Sequence, residues 1–292
     1  MPEGDTLLKI AEALRPALVG QALTRVELHR RRRPSLEVEV RDVRSVGKHL
    51  LIELASAEAL RVHLGMWGSW HRYRPGEAWR KPRHRASVEL VTEEAVFVCF
   101  NAKEVECTPV GKLEGRSLAR LGPDLLQSDV APERLAERAR RLLRPEAPVV
   151  DALLDQRVCA GIGNVYKNEA LFLERIDPRA RLDGIGDPEL ARLYATCRRL
   201  MRANLGPWMR TTTRAREEGD GENGLPRHWV YGRAGDHCLR CRARIVHRRF
   251  GTGNRDTYWC PVCQGQPVVD SAVRGAENDR RPRKTHEEAS SQ

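Results

Sequence analysis

The chain has 292 residues and a mass of 33.1 kDa, enough for two domains that each bury a core, and 51 lysines and arginines against 40 acidic residues give it a net charge of +11. Such an excess points to a polyanion as partner, through phosphate neutralisation and counterion release; the plainer alternative is a solvated basic surface in an arginine-rich chain. No apolar run approaches the ~18 to 20 residues that cross a bilayer, and the first residues lack the apolar segment of a secretory signal, so no membrane partner and a cytoplasmic location are expected.

The chain opens Met1-Pro2-Glu3-Gly4-Asp5-Thr6. A small second residue permits removal of Met1, which would leave a pyrrolidine secondary amine at Pro2. An α-amino group titrates near ~7.7 to 8.0, so a useful fraction is an uncharged nucleophile at neutral pH, able to form an iminium with a sugar carbon. Glu3 would hold a carboxyl group within reach of the same centre. Taken alone this start is shared by many proteins. Leu7, Ile10, Ala11, Leu14 and Leu18 then form the stripe of an amphipathic helix over 6–18, capped by Asp5 or Thr6, stopped by Gly20 and ended or bent by Pro16.

From 22 to 109 short alternating or apolar runs at 36–40, 50–54, 60–64, 87–91 and 96–100, split by glycine and proline turns, predict a β-sandwich. A loop-rich join at 111–131 leads to helices over 134–143, 149–154, 164–174 and 188–205. The polar stretch 211–227 holds Gly219, Gly221 and Gly224 and reads as a mobile loop. Beyond 270 the chain is charged and poor in bulky apolar residues, as in a disordered tail.

Cys99, Cys107, Cys159 and Cys197 read as buried small hydrophobes of a reducing compartment. Cys238-Leu239-Arg240-Cys241 and Cys260-Pro261-Val262-Cys263 are different, because two Cys-x-x-Cys knuckles joined by a foldable spacer match one structural Zn2+ held by four thiolates. That closed set leaves no position for water, so the metal would hold shape and take no part in chemistry. The spacer reads as a β-hairpin with a Gly253-Asn254 turn and Arg255 at its tip, able to fork two donors onto phosphate.

With both ends in view the chain resembles the formamidopyrimidine-DNA glycosylase and endonuclease VIII family of base-excision repair enzymes. The resemblance spans residues 1 to 266 and rests on the Met1-Pro2-Glu3-Gly4 start, Gly47-Lys48-His49-Leu50-Leu51, and His63-Leu64-Gly65-Met66-Trp67-Gly68. It continues through Gly161-Ile162-Gly163-Asn164-Val165-Tyr166 and the hairpin ending Arg255-Asp256-Thr257-Tyr258-Trp259-Cys260. It implies an α+β multidomain fold: a β-sandwich with an N-terminal helix over 1–115, a helix-two-turn-helix domain over 116–227, a zinc finger over 228–266 and a disordered basic tail over 267–292.

By the same resemblance Pro2 is the nucleophile, Glu3 the acid/base group, Lys48 and Arg255 grip phosphates beside the lesion, and Asn164 binds phosphate with the amides at its helix start. An enzyme that acts on a base in a duplex must evert it and fill the gap, and Met66 between Gly65 and Gly68 is a suitable apolar wedge, with Trp67 as a second candidate. The core of the sandwich is the other place for both side chains. His63 reads as a structural hydrogen-bonding residue. The implied activity is a DNA glycosylase and abasic-site lyase that acts as a monomer on double-stranded DNA, cutting by β,δ-elimination through a Schiff base.

The Gly4-Asp5-Thr6 continuation looks like the endonuclease VIII branch, which favours oxidised pyrimidines, and the stretch 100–106 is without the arginine–phenylalanine pair of the other branch. Leu64-Gly65-Met66 resembles that other branch, whose substrates are oxidised purines such as 8-oxoguanine. The rivals are a damage-binding protein of the same fold without catalysis, against which Pro2, Glu3 and Lys48 stand together, and a zinc-ribbon nucleic-acid adaptor.

Overall fold

The computed structural model describes residues 1–28, 31–32, 38–213 and 226–265. The expected tail and the glycines of the 211–227 loop lie outside those residues. The first helix, α1 (Gly4–Leu18), buries Leu7, Ala11, Leu14 and Leu18, the stripe that the sequence sets out, and starts two residues earlier than expected, with Glu3 as its cap. Pro16 neither ends nor breaks it, because in the last turn its missing N–H forfeits a single hydrogen bond. Gly20, at φ +79°, then turns the chain into the sheet.

Two antiparallel five-stranded sheets follow. One runs in the order β1 (Ala22–Leu23), β4 (Val38–Val46), β5 (His49–Leu54), β6 (Glu58–His63) and β10 (Glu104–Pro109); the other in the order β3 (Arg31–Arg32), β2 (Arg25–Leu28), β8 (Ala86–Val91), β9 (Val96–Phe100) and β7 (Ser69–Tyr73). Val43, Leu50, Ile52, Leu60 and Val62 meet Val88, Leu90 and Phe97 in one core, which the apolar stripe of α1 also joins. Four of the five expected strands lie where the apolar runs place them. The fifth, expected at 36–40, is part of a nine-residue strand that begins at Val38 among the described residues. β2, β7 and β10 were not expected, because their charged residues interrupt the apolar alternation; on β10, Glu104 and Glu106 both reach across to Arg61 on β6.

The join after the sandwich is less irregular than its composition suggests, since it begins with a short helix, α2 (Val110–Leu113), and a wider helical turn over 114–118. The helical half then packs α3 (Pro132–Leu142), α4 (Val149–Leu154), α5 (Asn164–Leu173) and α6 (Asp187–Arg202) around a second core built on Leu135, Leu153, Tyr166, Leu171, Tyr194 and Met201. The last helix ends three residues short of expectation. Asn204 stops it by donating to Leu200 O at 2.8 Å and accepting from the Thr211 amide at 2.9 Å. The helix α5 is buried on every side from Asn164 to Phe172, polar residues included. The chain closes with the hairpin β11 (Val246–Phe250) and β12 (Arg255–Trp259) above the two cysteine knuckles.

Candidate active site

The N-terminal arm enters the helical half through a passage open only to glycine. The Gly4 amide donates to Gly161 O at 3.0 Å, and a Cβ on Gly4 would lie 2.9 Å from the Gly161 Cα. A Cβ on Gly163 would lie 2.3 Å from Cδ of Glu3. This closeness seats the Glu3 carboxylate, wholly buried, on the start of α5: Oε2 accepts from the Gly163 amide at 2.8 Å and Oε1 from the Val165 amide at 2.7 Å. A carboxylate there satisfies helix-end amides and lies at the positive end of the helix dipole.

Arg210 fastens the arm from the other side. It bonds Asp5 at 2.5 and 3.1 Å, Thr6 Oγ1 at 2.7 Å and Met1 O at 2.9 Å, and its guanidinium lies 4.9 Å from the centre of the Tyr166 ring. The Met1 α-amine is held below its ordinary pKa, first by burial and then by this guanidinium.

Lys48 comes to the same place on the tight β4–β5 turn, whose Val46–His49 pairing requires the left-handed Gly47 at φ +57°. The Gly47 amide donates to Asp124 Oδ2 at 2.6 Å, which ties this turn to the helical half. Burial lowers the Lys48 pKa; the Glu3 carboxylate opposes the shift, and Arg255 and Arg210 add to it. Among the described residues its ammonium makes no hydrogen bond, so its donors are available to a ligand.

On the far side stands the hairpin. Its turn is fixed by Asp151 of α4, which accepts from the Thr252 amide at 3.0 Å and from its hydroxyl at 2.8 Å. Asn164 Nδ2 donates to Asp256 O at 2.7 Å, and Asn168 Oδ1 accepts from the Tyr258 amide at 2.8 Å. Arg255, the first residue of β12 and directly after the Gly253-Asn254 turn, is left exposed.

Pro2, Glu3, Lys48, Met66, Asn164 and Arg255 therefore line a single cleft of about 590 Å³, together with His63, Lys103 and Arg157. Met66 and Trp67 are 57% and 76% exposed on the loop after β6, which rules out a place in the sandwich core; of the two, Met66 lines the cleft. One expectation is corrected. His63 is not a hydrogen-bonded structural residue at Nδ1, which is buried without a partner among the described residues: its ring lies 5.0 Å from His49, and the nearby Glu104 is taken by Arg61. At the start of α5 the amides of Gly163 and Val165 are taken by Glu3. Asn164 is the first residue of α5, Gly163 caps the helix, and Asn164 Nδ2 donates to Asp256 O.

Cys99, Cys159 and Cys197 are buried as expected, while Cys107 is only half-buried. Burial pushes the Cys99 and Cys159 thiols up to about 12, which removes both as nucleophiles. The sulfurs of Cys238, Cys241, Cys260 and Cys263 all lie within 4.8 Å of one another, with Cys238–Cys263 at 3.8 Å and Cys241–Cys260 at 3.4 Å. Zn–S bonds of ~2.3 Å in a tetrahedron put sulfurs ~3.8 Å apart, so these four thiols form a metal site of the right size. The amides of Arg240 and Cys263 each donate to a sulfur at 3.4 Å, which suits thiolates.

A family model described as the formamidopyrimidine-DNA glycosylase N-terminal domain matches residues 1–104, and one for the H2TH domain of the same glycosylase matches 121–214. Endonuclease 8 2 of Mycobacterium bovis is 39% identical over 274 residues, covering 90% of this chain and all of its own. The chain belongs to the formamidopyrimidine-DNA glycosylase and endonuclease VIII family. The DNA-(apurinic or apyrimidinic site) lyase Nei2 of Mycolicibacterium smegmatis is 40% identical over 267 residues, covering 90% of this chain and 99% of its own. Formamidopyrimidine-DNA glycosylase of Deinococcus radiodurans is 32% identical over 289 residues, at 90% and 97% coverage. The fold is that of the Lactococcus lactis formamidopyrimidine-DNA glycosylase, solved non-covalently bound to DNA with an abasic site, at a TM-score of 0.73 and 20% identity over 90% of this chain and all of that one.

Sequence reasoning missed Arg210, Lys167, Asn168, Glu169 and Asp151. Arg210 precedes a polar loop and has no signal of its own. Glu169, at the middle of α5, accepts from the amides of Trp229, Val230 and Tyr231 at 2.8 to 3.0 Å and from the Thr212 hydroxyl. The signal that could have exposed the polar residues of α5 is the run Asn164-Val165-Tyr166-Lys167-Asn168-Glu169, too short in apolar residues to be a buried helix unless each polar group is bonded.

Proposed function

We propose that this family member is a bifunctional DNA glycosylase and abasic-site lyase of base excision repair, with the Pro2 amine as nucleophile once Met1 is removed. The observation that carries the reading is the Glu3 carboxylate held on two amides of α5 in the same cleft as Pro2, Lys48 and Arg255. Fixed donors and acceptors around a reacting centre need no rearrangement as charge develops. The relatives named endonuclease 8 and abasic-site lyase support the reaction class.

In this reading the Pro2 nitrogen adds its electron pair to C1′ of an everted nucleotide, and the bond from C1′ to the base breaks, its electrons leaving with the base, which takes up a proton. The amine then gives its proton to the Glu3 carboxylate, which delivers it to O4′ as the C1′–O4′ bond opens, and an iminium joins Pro2 to C1′. The iminium acidifies C2′; loss of that proton breaks the C3′–O3′ bond and releases one phosphate. A second elimination through C4′ breaks the C5′–O5′ bond, and water frees the enzyme. Arg210 fixes the arm through Asp5. Lys48 and Arg255, on opposite walls, would hold the flanking phosphates, and Asn164 would join them by turning its amide away from Asp256. Met66 would fill the gap left by the everted base. Zn2+ on Cys238, Cys241, Cys260 and Cys263 would pin the hairpin that carries Arg255. The enzyme would act as a cytoplasmic monomer on duplex DNA.

Oxidised pyrimidines are the preferred substrates on this account. The 101–103 turn between β9 and β10, with Asn101 at φ +52°, offers Lys103 to the cleft where the purine branch is expected to place an arginine and a phenylalanine. Oxidised purines are the second reading, favoured by the Leu64-Gly65-Met66 loop, whose Gly65 and Met66 line the cleft. The test is borohydride trapping on a duplex with one abasic site, alongside Pro2→Gly and Glu3→Gln. An adduct that falls in both variants supports the lyase; binding without an adduct leaves a damage-binding protein. Duplexes carrying thymine glycol or 8-oxoguanine then rank the two lesions.

A further inference from the structure

Lys167 has no role in the chemistry just described, yet its side chain is wholly buried at the joint between the Glu3 seat and the Arg255 strand. Its Nζ donates to Thr257 Oγ1 at 2.8 Å and to Asp256 O at 3.2 Å. The Thr257 hydroxyl in turn donates to Arg255 O at 3.1 Å. One ammonium thereby fixes the carbonyls on both sides of the Arg255–Asp256 step, while Asn164 Nδ2 meets the second of them at 2.7 Å. The lysine also stands one helical turn behind the two amides that hold Glu3.

Burying an ammonium costs several kcal/mol unless its donors are satisfied, and a hairpin could be docked more cheaply by an apolar contact. The charged groups that face Lys167 are Glu3 from the arm, Asp256 and Arg255 from β12, and Asp151 from α4, so the acids outnumber the single base. The ammonium therefore stabilises an arrangement that would otherwise place acceptors and carboxylates together in a water-poor joint. Misplacing a substrate-holding group by about 1 Å can cost ~100-fold in rate, so a rigid anchor beneath a phosphate-holding arginine bears on turnover.

We propose that Lys167 is a positioning residue that acts through Thr257 to set Arg255 on the phosphate beside the lesion and links that strand to the Glu3 seat. The proposal rests on the lyase reading above. Burial draws the Lys167 pKa down to about 7, although Glu3 opposes the shift, so its charge is lost as pH rises through that value. The wild-type rate should then bear a limb there that a permanently charged arginine at this position removes.

The experiment is single-turnover cleavage of an abasic duplex by the full chain, with zinc content and affinity for undamaged DNA measured beside it. Lys167→Met and Thr257→Val are each expected to lower the single-turnover rate by roughly ten- to a hundredfold, with zinc content and affinity for undamaged DNA unchanged. Paired with Arg255→Ala they should add no further loss, since groups that act through one another are not additive. Lys167→Arg should restore most of the rate and abolish the limb near pH 7. If Lys167→Met and Thr257→Val cleave as wild type does, or if their losses multiply with that of Arg255→Ala, the positioning role is wrong while the lyase reading stands. If the wild type itself neither cleaves nor traps, both fall together.

Discussion

Glu3→Gln is expected to weaken the fold as well as the reaction, and the size of the effect follows from its seat. The carboxylate accepts from two amides, at 2.7 and 2.8 Å, with no solvent exposure. Hydrogen bonds to a charged group contribute about 1.5 to 3 kcal/mol each, and a negative charge at a helix start adds about 0.3 to 2 kcal/mol. Glutamine keeps the shape but has one acceptor oxygen, so one amide keeps a neutral bond worth about 1 kcal/mol while its NH2 faces the other amide, donor against donor. The orphaned donors cost about 1 to 3 kcal/mol more, for a net loss of about 3 to 10 kcal/mol. A domain of this size loses roughly 2 to 4 °C in Tm per kcal/mol, so Glu3→Gln should melt roughly 6 to 40 °C below wild type. Differential scanning calorimetry of the two proteins at pH 7 is the assay. A variant that melts within about 2 °C of wild type would refute the idea that Glu3 is a fixed element of the fold, and with it the preorganised site.

Met66→Ala should slow base excision from a duplex by about tenfold, since eversion costs a few kcal/mol, while leaving borohydride trapping on a single-stranded abasic oligonucleotide unchanged. Equal loss on both substrates would exclude the wedge role. Chelation at four thiolates should release one metal ion per chain, read by a colorimetric zinc indicator, and lower affinity for abasic duplex at least tenfold in a mobility shift, because the hairpin that carries Arg255 loses its pin. His49 is held down to about 4 by burial, the neighbouring His63 and Arg61. The unfolded chain takes up a proton near ~6.5 that the folded chain refuses, so this contribution to stability is complete above ~6.5 and is lost as pH falls towards 4. Urea midpoints at pH 7 and 4.5 should therefore differ less for His49→Gln than for wild type; an equal difference would sink the assignment.

The cysteine knuckles, the stripe of α1 and the strands at 50–54 and 96–100 were legible because each rests on local spacing. The strands that escaped are those whose charge serves a partner strand: Glu104 and Glu106 look like turn residues until Arg61 lies between them and His49. At the site, Pro2, Glu3, Lys48, Met66, Asn164 and Arg255 were found through their motif context, and the structure brings all six to one cleft. Their supports were not, because Lys167, Asn168 and Glu169 on a helix look like a solvated face. Only the packing of 226–265 against α5 turns that face inward and gives each polar group a bond. Arg210 escaped for a similar reason: its partners Asp5 and Thr6 lie at the other end of the chain.

The central claim is that the amine of Pro2 forms the covalent bond to the sugar. The direct measurement is mass spectrometry of the peptide that carries the nucleotide after borohydride reduction and digestion of the wild-type adduct. The account predicts that Met1 is absent and that the added mass lies on the Pro2 nitrogen. An adduct on Lys48, or one formed by chains that retain Met1, would contradict it.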